Sequence, residues 1–319
     1  MRWKSIKTVM IFILLGVNLW LIYLLVGRYM AQSFFSQDAL QNTVDVLARD
    51  GIFVEVGQID PKKRDADIYE ADMAVDYYDS VAAIFTSSPI HETFPTPTGM
   101  RMITVSGDAL TFSGSFGVDY LAGGFEREEI SAIAEFAVRS GDRLAPNHHS
   151  LRTLRETLAA ALDRDTSVGA GVTVHAKLSF DEAWRFGNYL LFRCSQTLDG
   201  RPVEGHTAEC LLDETTGRLL WLGGTWSFLP LTRSYSAPLY DQINILFIEK
   251  AVCLEARAAD ADAPAVQELA EMRFCYTLST AANPDGGKRV FYAPAWQIVY
   301  RDGTSRIYSA VTGEAADLQ

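Results

Sequence analysis

The sequence is poor in the residues on which metal centres, redox motifs and polyanion-binding surfaces depend. Its 319 residues include only four cysteines and five histidines, and 40 acidic residues outnumber 28 basic ones, for a net charge of −12. No two cysteines form a C-x-x-C pair. The acidic excess argues against nucleic acid and anionic lipid headgroups as partners, since both are bound by basic surfaces.

The cysteines all lie in the second half of the chain, at Cys194, Cys210, Cys253 and Cys275. A lipid-modified N-terminal cysteine is therefore excluded. A hairpin about Gly200 would place Cys194 near Thr207 rather than near Cys210, so a disulfide between the two would need an irregular register. The sequence predicts buried free thiols.

Catalytic motifs are also missing: there is no HExxH, no G-x-S-x-G, no P-loop and no G-x-G-x-x-G after a strand. His148 and His149 are adjacent, but adjacent helical residues do not face each other. Asp213 and Glu214 precede a turn glycine, and the glutamates in 126–129 suit the first turn of a helix. We therefore predict no catalytic, metal-binding or cofactor-binding residues, and a protein that is not an enzyme.

The longest apolar run, Thr8 to Gly27, contains no charged residue. As a helix it would be about 30 Å long, which is the thickness of the bilayer hydrocarbon core. Arg2, Lys4 and Lys7 precede the run and Arg28 follows it, so the positive-inside rule predicts a cytoplasmic N-terminus. The run predicts a single transmembrane helix with the remaining chain outside the cell membrane.

A cleavable signal peptide is the alternative interpretation of this segment, with Ala31 and Ser33 as small residues for cleavage. The apolar run is long for a signal peptide, and Trp20, Tyr23 and Tyr29 suit an interfacial aromatic belt. These features favour an uncleaved anchor.

Asn18 is the residue in the span that lipid does not explain, because its amide needs hydrogen-bond partners in hydrocarbon. Gly16, Trp20 and Tyr23 lie at helical spacing and would allow close approach of a second helix. We predict partner contact at Gly16, Asn18, Trp20 and Tyr23. In the alternative, Asn18 bonds its own helix backbone and Gly16 is incidental.

The pattern of apolar residues predicts four segments. These are a cytoplasmic tail (1–7), the transmembrane helix (8–27), an α+β domain (28–145) and a second α+β domain (146–319). In the first domain we expect a helix capped by Ser36 and ending at Gly51, then a strand over 52–59. A strand followed by a helix is expected over 68–85, and two strands joined at Gly107 and Asp108. Pro89, Pro95 and Pro97 are expected to break order, and a helix with Gly141 at its end closes the domain.

The second predicted domain contains two similar series of strands and turns. A strand, a turn at Gly200, a strand, a turn at Thr216 and Gly217 and another strand are followed later by a similar series ending at Thr312 and Gly313. Helices predicted over 150–164 and 238–258 precede the two series. This pattern predicts two units of a helix plus an antiparallel meander, with Gly217 and Gly313 as structural turn residues and Gly217 at positive φ.

Aromatic residues are concentrated in the same half, from Trp184 to Tyr300. At strand spacing they are typical of a core. Some of them could instead line a groove at a sheet edge, where an extended peptide adds a strand.

Two phrases resemble a known family. The opening with Trp3 and KTVMIFILLGVNLWLIY, and the closing PAWQIVYRDGTSRIYSAVTGE, are similar to YycI-type accessory proteins, their YycH-type relatives and PepSY-like modules. The resemblance implies a single-pass membrane protein of Gram-positive bacteria. With a sister protein, it would regulate an essential sensor histidine kinase of cell-wall metabolism, without enzymatic activity.

Together, these features predict an α+β protein in which one transmembrane helix precedes extracytoplasmic domains of helices packed on antiparallel sheets. Its predicted partners are the lipid bilayer, a sensor histidine kinase and a homologous single-pass protein. We predict that it binds no cofactor and no nucleic acid. The alternative is a PepSY-like inhibitor or chaperone of an extracytoplasmic protease or other envelope protein. An envelope hydrolase would need a cluster of acids or histidines that the sequence does not display.

Overall fold

A computed structural model describes residues 14–25, 34–62, 64–73, 77–114, 116–145, 156, 164–168, 172–229, 231–260, 264, 266–282 and 288–316. The protein is a mixed α+β structure. Besides a helical segment at 14–25, the helices are α1 (Gln37–Arg49), α2 (Tyr77–Phe85), α3 (Arg127–Ser140) and α4 (Gln242–Ala259).

Sixteen strands are numbered along the described part of the chain. They are β1 (Ile52–Phe53), β2 (Asp67–Met73), β3 (Ile90–Thr96), β4 (Gly99–Thr104), β5 (Ala109–Ser113), β6 (Gly117–Leu121), β7 (Asp142–Leu144), β8 (Arg164–Val168), β9 (Val172–Phe186), β10 (Tyr189–Leu198), β11 (Arg201–Asp213), β12 (Leu219–Thr225), β13 (Leu231–Ser236), β14 (Gln267–Ala282), β15 (Lys288–Tyr300) and β16 (Ser305–Ser309).

The chain forms two compact units, each discontinuous in sequence. Unit 1 contains 1–66, 238–273 and 296–316, and unit 2 contains 67–237, 274–295 and 317–319. Residue 145, the predicted domain boundary, lies inside unit 2. Each unit combines segments that are far apart in sequence, so no single boundary along the chain separates the two.

Unit 1 begins as predicted for α1. Ser36 accepts a hydrogen bond from the Ala39 amide at 3.2 Å, and Gly51 has φ 78°. The strand predicted over 52–59 is wrong beyond Phe53, because Val56–Gln58 form a 3₁₀ turn. Gln58 stabilises that turn by accepting from the Glu55 amide at 2.8 Å and donating to the Leu269 carbonyl at 3.1 Å.

The rest of unit 1 includes α4, capped by Asp241, and strand β16 paired with β15. The core of unit 1 contains buried side chains from α1, α4, β15 and β16, including Leu47, Ile245, Trp296 and Tyr308. Gly313 follows β16 at φ 75°, and its amide donates to the Ser309 carbonyl at 2.9 Å.

Unit 2 contains an antiparallel sheet in the order β9, β10, β11, β12, β6, β5, β4, β3. Pro95 lies within β3, so the prediction that it breaks order is wrong. The only strand pairing described for β3 is with β4, and an edge strand tolerates proline because half of its amides need no partner. The predicted strands joined at Gly107 and Asp108 are β4 and β5.

The hairpin of β10 and β11 turns at Asp199 and Gly200, whose φ angles of 49° and 74° fit a two-residue hairpin turn. Cys194 pairs with Ala208 rather than Thr207, because the register shifts between Ser195 and Thr197. All four cysteines are buried thiols, as predicted.

The next turn in unit 2 follows β11. Gly217 has φ 69° and donates its amide to the Asp213 carbonyl at 2.8 Å, while the Asp213 carboxylate accepts from the amides of Thr215 and Thr216. The helix predicted over 150–164 falls almost entirely outside the described residues, although its last residue, Arg164, begins β8.

Candidate functional site

The residues predicted to contact a membrane partner lie on the helical segment 14–25. Trp20 is 61% exposed and Tyr23 is 75% exposed, and a Cβ added at Gly16 would meet no atom within 4 Å. Asn18 is also exposed. Within the described ranges, no helix combines the length and apolar character needed to cross a membrane. The remainder of the predicted span, 8–13 and 26–27, falls outside those ranges.

The histidines are separated in the structure where their positions are described. His91 is exposed beside Glu92, at 3.6 Å, and His206 is buried. His148 and His149 lie outside the described residues. Across the part of the chain that the structure describes, no group of three His, Cys, Asp or Glu side chains could hold a metal ion.

His206 belongs to a polar network in the core of unit 2. Its Nδ1 lies 2.8 Å from Oε1 of Gln196, and the Gln196 amide nitrogen donates to the Ser227 carbonyl at 2.7 Å. An amide oxygen only accepts, so Nδ1 carries the proton. Burial lowers the pKa of His206 to about 4, and this histidine therefore stays neutral at physiological pH.

A buried carboxylate in unit 1 was not predicted from the sequence. Glu249 on α4 is fully buried and accepts hydrogen bonds from the hydroxyls of Tyr300 and Tyr308. Arg306 donates to it at 2.7 Å, and the Cys253 thiol lies 2.8 Å away. Burial, followed by the hydrogen bond to Glu249, raises the pKa of Cys253 to about 12. This thiol is therefore not a nucleophile at neutral pH.

Glu249 has its partners within the protein, which makes it a structural group. Burial also raises the pKa of both tyrosines, so they remain hydrogen-bond donors. The one sequence feature that could have indicated this cluster is the spacing of Glu249 and Cys253, which are four residues apart on α4 and therefore share a face of the helix.

An open groove lies in unit 2, where α3 crosses one face of the sheet. One row of that face runs through Trp184, Leu191, Leu211, Trp221 and Leu121, which are paired strand by strand. Ile130 and Ala137 of α3 pack on this row. The row is therefore the apolar contact that holds the helix on the sheet.

The sequence predicts a five-residue apolar stripe on α3, consisting of Ile130, Ile133, Ala134, Phe136 and Ala137. Four of the five lie in this apolar cluster or pack against it, and the prediction is wrong for Phe136. That side chain is 56% exposed and stacks on Phe186 with ring centroids 6.1 Å apart. A five-residue stripe is broader than the face of α3 that the sheet covers.

The neighbouring row of the same sheet face is charged. It runs through Glu182, Arg193, Glu209, Gly223 and Asp119. Gly223 has a specific steric role in this row, because a Cβ there would lie 2.4 Å from the Trp221 indole. The missing side chain lets that indole lie across the row.

The space between this row and α3 has a volume of about 460 Å³. We call it the arginine groove and define it by the side chains of Arg127, Ser131, Val138, Arg139, Arg193 and Trp221 that line it. Ser131 and Ala134, which are small residues on the helix wall, leave the groove open.

Arg193 places its guanidinium on the floor of the arginine groove. Its Nε and Nη2 donate to Glu209 at 3.0 and 2.7 Å, and its Nη1 donates to Glu182 at 2.9 Å. The guanidinium carbon lies 5.3 Å from the centre of the Trp184 ring. The hydrogen bond to Glu209 raises the pKa of Arg193, and these contacts fix its position before any ligand arrives.

Arg127 is held in a similar way. It is paired with Asp119 and lies 5.3 Å from the centre of the Trp221 ring. Trp221 in turn donates its indole N–H to Asp119 at 2.9 Å. Sequence reasoning missed both arrangements, because each joins residues from separate strands or from a strand and a helix.

No protein-family model and no curated protein matches this sequence. Among solved structures, the chain is similar to an uncharacterized protein from Eubacterium rectale, with 10% identity over 80% of this chain and 86% of that chain and a TM-score of 0.42. It is also similar to the C-terminal domain of Bacillus megaterium YpeB, with 10% identity over 78% and 99% of the two chains and a TM-score of 0.28.

Proposed function

We propose that this chain is a non-enzymatic, membrane-anchored binding protein. The observation that supports the proposal is the helical segment 14–25, whose leucines are exposed over its length, at 67% for Leu14 and 70% for Leu25. Exposed apolar area is unfavourable in water by about 25 cal/mol per Å². Lipid, or the apolar surface of a membrane partner, would cover these side chains.

The finer proposal is regulation of a sensor histidine kinase of cell-wall metabolism, together with a homologous single-pass protein, as the sequence resemblance implies. The anchor helix would favour one of two states of the kinase helices through Asn18 and the neighbouring Gly16. A coupling free energy of about 1–3 kcal/mol between the two proteins is sufficient for such control. The extracytoplasmic units would alter this bias when they bind a partner.

The second candidate is a PepSY-like extracytoplasmic inhibitor or chaperone that the helix merely tethers. The arginine groove favours it, because a groove of about 460 Å³ in unit 2 offers a binding surface without any contact inside the membrane. This candidate predicts that any apolar helix can replace 8–27.

Affinity purification of the full chain from native membranes tests the proposal. We expect an integral membrane protein to co-purify with the wild type and with Val17→Leu, and to be reduced for Asn18→Leu, which removes the amide. Equal recovery with a composition-matched shuffled 8–27 segment would favour the tethered inhibitor. Extraction of the chain from membranes by alkaline carbonate would contradict the anchor itself.

A further inference from the structure

We propose that the helical segment 14–25 pairs with the same helix of a second copy of this chain, side by side and in the same direction, with Asn18 at the contact. The inference deepens the binding role proposed above and rests on it in one respect, since both need the segment to lie in a membrane. It follows from three features of the segment: two separate faces, the spacing of its leucines and the chemistry of one amide.

The first feature is the division of the helix into two faces. An α-helix turns by about 100° per residue, so Asn18 lies about 200° around the helix from both Gly16 and Trp20. Tyr23 lies about 140° from Asn18. The four residues predicted to contact a membrane partner therefore do not share one face, and Asn18 belongs to a contact of its own.

The second feature is the face on which Asn18 lies. Leu14, Asn18, Leu21 and Leu25 follow one another at intervals of four, three and four residues, which keeps them within about 60° around the helix. This is the heptad spacing by which two helices pack along a left-handed seam, the commoner handedness of helix pairs in membranes. In chain order the three leucines are 67%, 47% and 70% exposed. The seam is therefore open to a second helix.

The third feature is the amide of Asn18. Residues 14–25 contain no other amide and no charged side chain. An amide has an oxygen that accepts and an NH₂ group that donates, and both need partners in hydrocarbon. In a two-fold symmetric pair the same residue of each helix lies at the contact. Each Asn18 then donates to the other, and each accepts from the other.

A second copy is the partner that these features select. Two copies inserted in the same direction place Asn18 at the same depth, whereas a different protein would need a polar residue of its own at that level of the bilayer. Across a parallel contact leucine meets leucine and amide meets amide. A single asparagine among apolar heptad positions fixes the register and the number of helices in coiled coils, and Asn18 has this position in the seam.

The pairing leaves the opposite face of each helix for a different protein. Gly16, Trp20 and Tyr23 would point away from the seam on both helices, so the pair presents this face twice. Asn18 would then act on a further membrane partner through the pair, by holding the two anchors together.

Disulfide crosslinking of the full chain in native membranes tests the pairing. A disulfide needs two Cβ atoms about 3.5–4.5 Å apart, and Leu14→Cys, Leu21→Cys and Leu25→Cys each place a thiol on the seam. Leu19→Cys is the control, because residue 19 is 60% exposed and lies about 100° from Asn18. The native cysteines are buried and should not react.

We expect a crosslinked dimer for the three seam variants and little for the control. Crosslinking at both ends of the helix requires a parallel pair, since identical residues of an antiparallel pair meet only near its centre. Equal crosslinking at positions 19 and 21, or no dimer in any variant, would overturn the proposal.

Co-purification of two differently tagged copies from one membrane tests the role of the amide. Asn18→Leu should lower recovery of the second copy on the order of tenfold, whereas Asn18→Gln keeps an amide and should retain most of it. Exchange of residues 18 and 19 preserves composition but moves the amide about 100° off the seam, and it should also lower recovery. Unchanged recovery in Asn18→Leu would contradict pairing through this residue.

The pairing and the proposed function fail separately. Recovery of the second copy without any other membrane protein would support the pairing and leave the regulatory proposal without its partner. Recovery of another membrane protein without the second copy would overturn the pairing and leave the proposed function standing.

Discussion

Two arginine-carboxylate clusters, one in each unit, contain the same chemical groups in opposite surroundings. In unit 1, Glu249 is 0% exposed, and two tyrosines, an arginine and a thiol surround it. In unit 2, the Arg193 side chain is 42% exposed and keeps two N–H groups without partners among the described residues. The first cluster is complete and the second is open.

Exposure, and not residue type, distinguishes these two clusters of ion pairs. Removal of a buried carboxylate leaves its hydrogen-bond and ion-pair partners unpaired inside the protein, and the substitution therefore lowers the stability of the fold. A half-exposed pair contributes little to stability because water screens it. Its remaining donors are available to a ligand.

The largest effect that this comparison predicts is for Glu249→Ala. The substitution should lower the free energy of unfolding by about 3–5 kcal/mol, because it strands Arg306 and two tyrosine hydroxyls around a cavity. Urea denaturation of the full chain in micelles measures it. Glu135→Ala, in an ion pair whose carboxylate is 60% exposed, should change stability by less than about 1 kcal/mol. Equal losses in the two variants would remove the distinction.

The second prediction extends the comparison to pH. The pKa of His206 is about 4 when folded against 6.5 for the ordinary side chain, so the unfolded chain takes up a proton first as the pH falls. The stabilisation that comes from the lowered pKa of His206 is complete above pH 6.5 and is lost as the pH falls from 6.5 to 4. It amounts to about 3 kcal/mol, at about 1.4 kcal/mol per pKa unit.

Denaturation curves at pH 7 and pH 4.5 test this window. His206→Gln should flatten the pH dependence, whatever it does to stability at pH 7. Asp108, whose pKa is lowered by amide and hydroxyl hydrogen bonds that outweigh its burial, loses its contribution at lower pH than His206 and should not alter the result. An unchanged slope in the variant would show that His206 is not the group responsible.

The third prediction concerns the turn that follows β16 in unit 1. Gly313→Ala should destabilise the protein by about 1–2 kcal/mol, because φ is +75° and the new Cβ would lie 2.8 Å from Ile248. Gly57→Ala is the control, since its Cβ would meet nothing within 4 Å at an ordinary φ. Thermal unfolding of the two variants should separate them, and identical midpoints would contradict the turn's steric requirement.

A small stability effect is expected for Arg193→Gln, which removes the guanidinium but leaves Glu182 and Glu209 able to reach water. We expect a loss of about 1 kcal/mol in stability. A loss of stability as large as that of Glu249→Ala would mean that the open cluster is structural as well.

Sequence patterns predicted the elements whose determinants are local. Ser36 caps α1, the Asp199 and Gly200 pair turns its hairpin, and Gly217 takes positive φ. Each depends on a few consecutive residues. The prediction for Pro95 was wrong because the effect of a proline depends on the position of its strand in the sheet. No local pattern of residues gives that position.

The candidate sites could be predicted only in part, for the same reason. The apolar segment with Asn18 is visible in the sequence, and its contacts stay a prediction. The arginine groove joins α3 to strands up to about 90 residues away in sequence, so Arg127 and Arg193 have no common motif. Glu249 likewise acquires its partners from β15 and β16.

Photocrosslinking from a photoreactive residue at position 18, in the native membrane, tests most directly whether the chain acts by binding a membrane partner. The captured species are identified by mass spectrometry. Capture of a sensor histidine kinase or a second single-pass protein is the result that we predict. Capture of lipid alone, with function restored by a chain from residue 30 onward, would contradict regulation within the membrane and leave the helix as a tether.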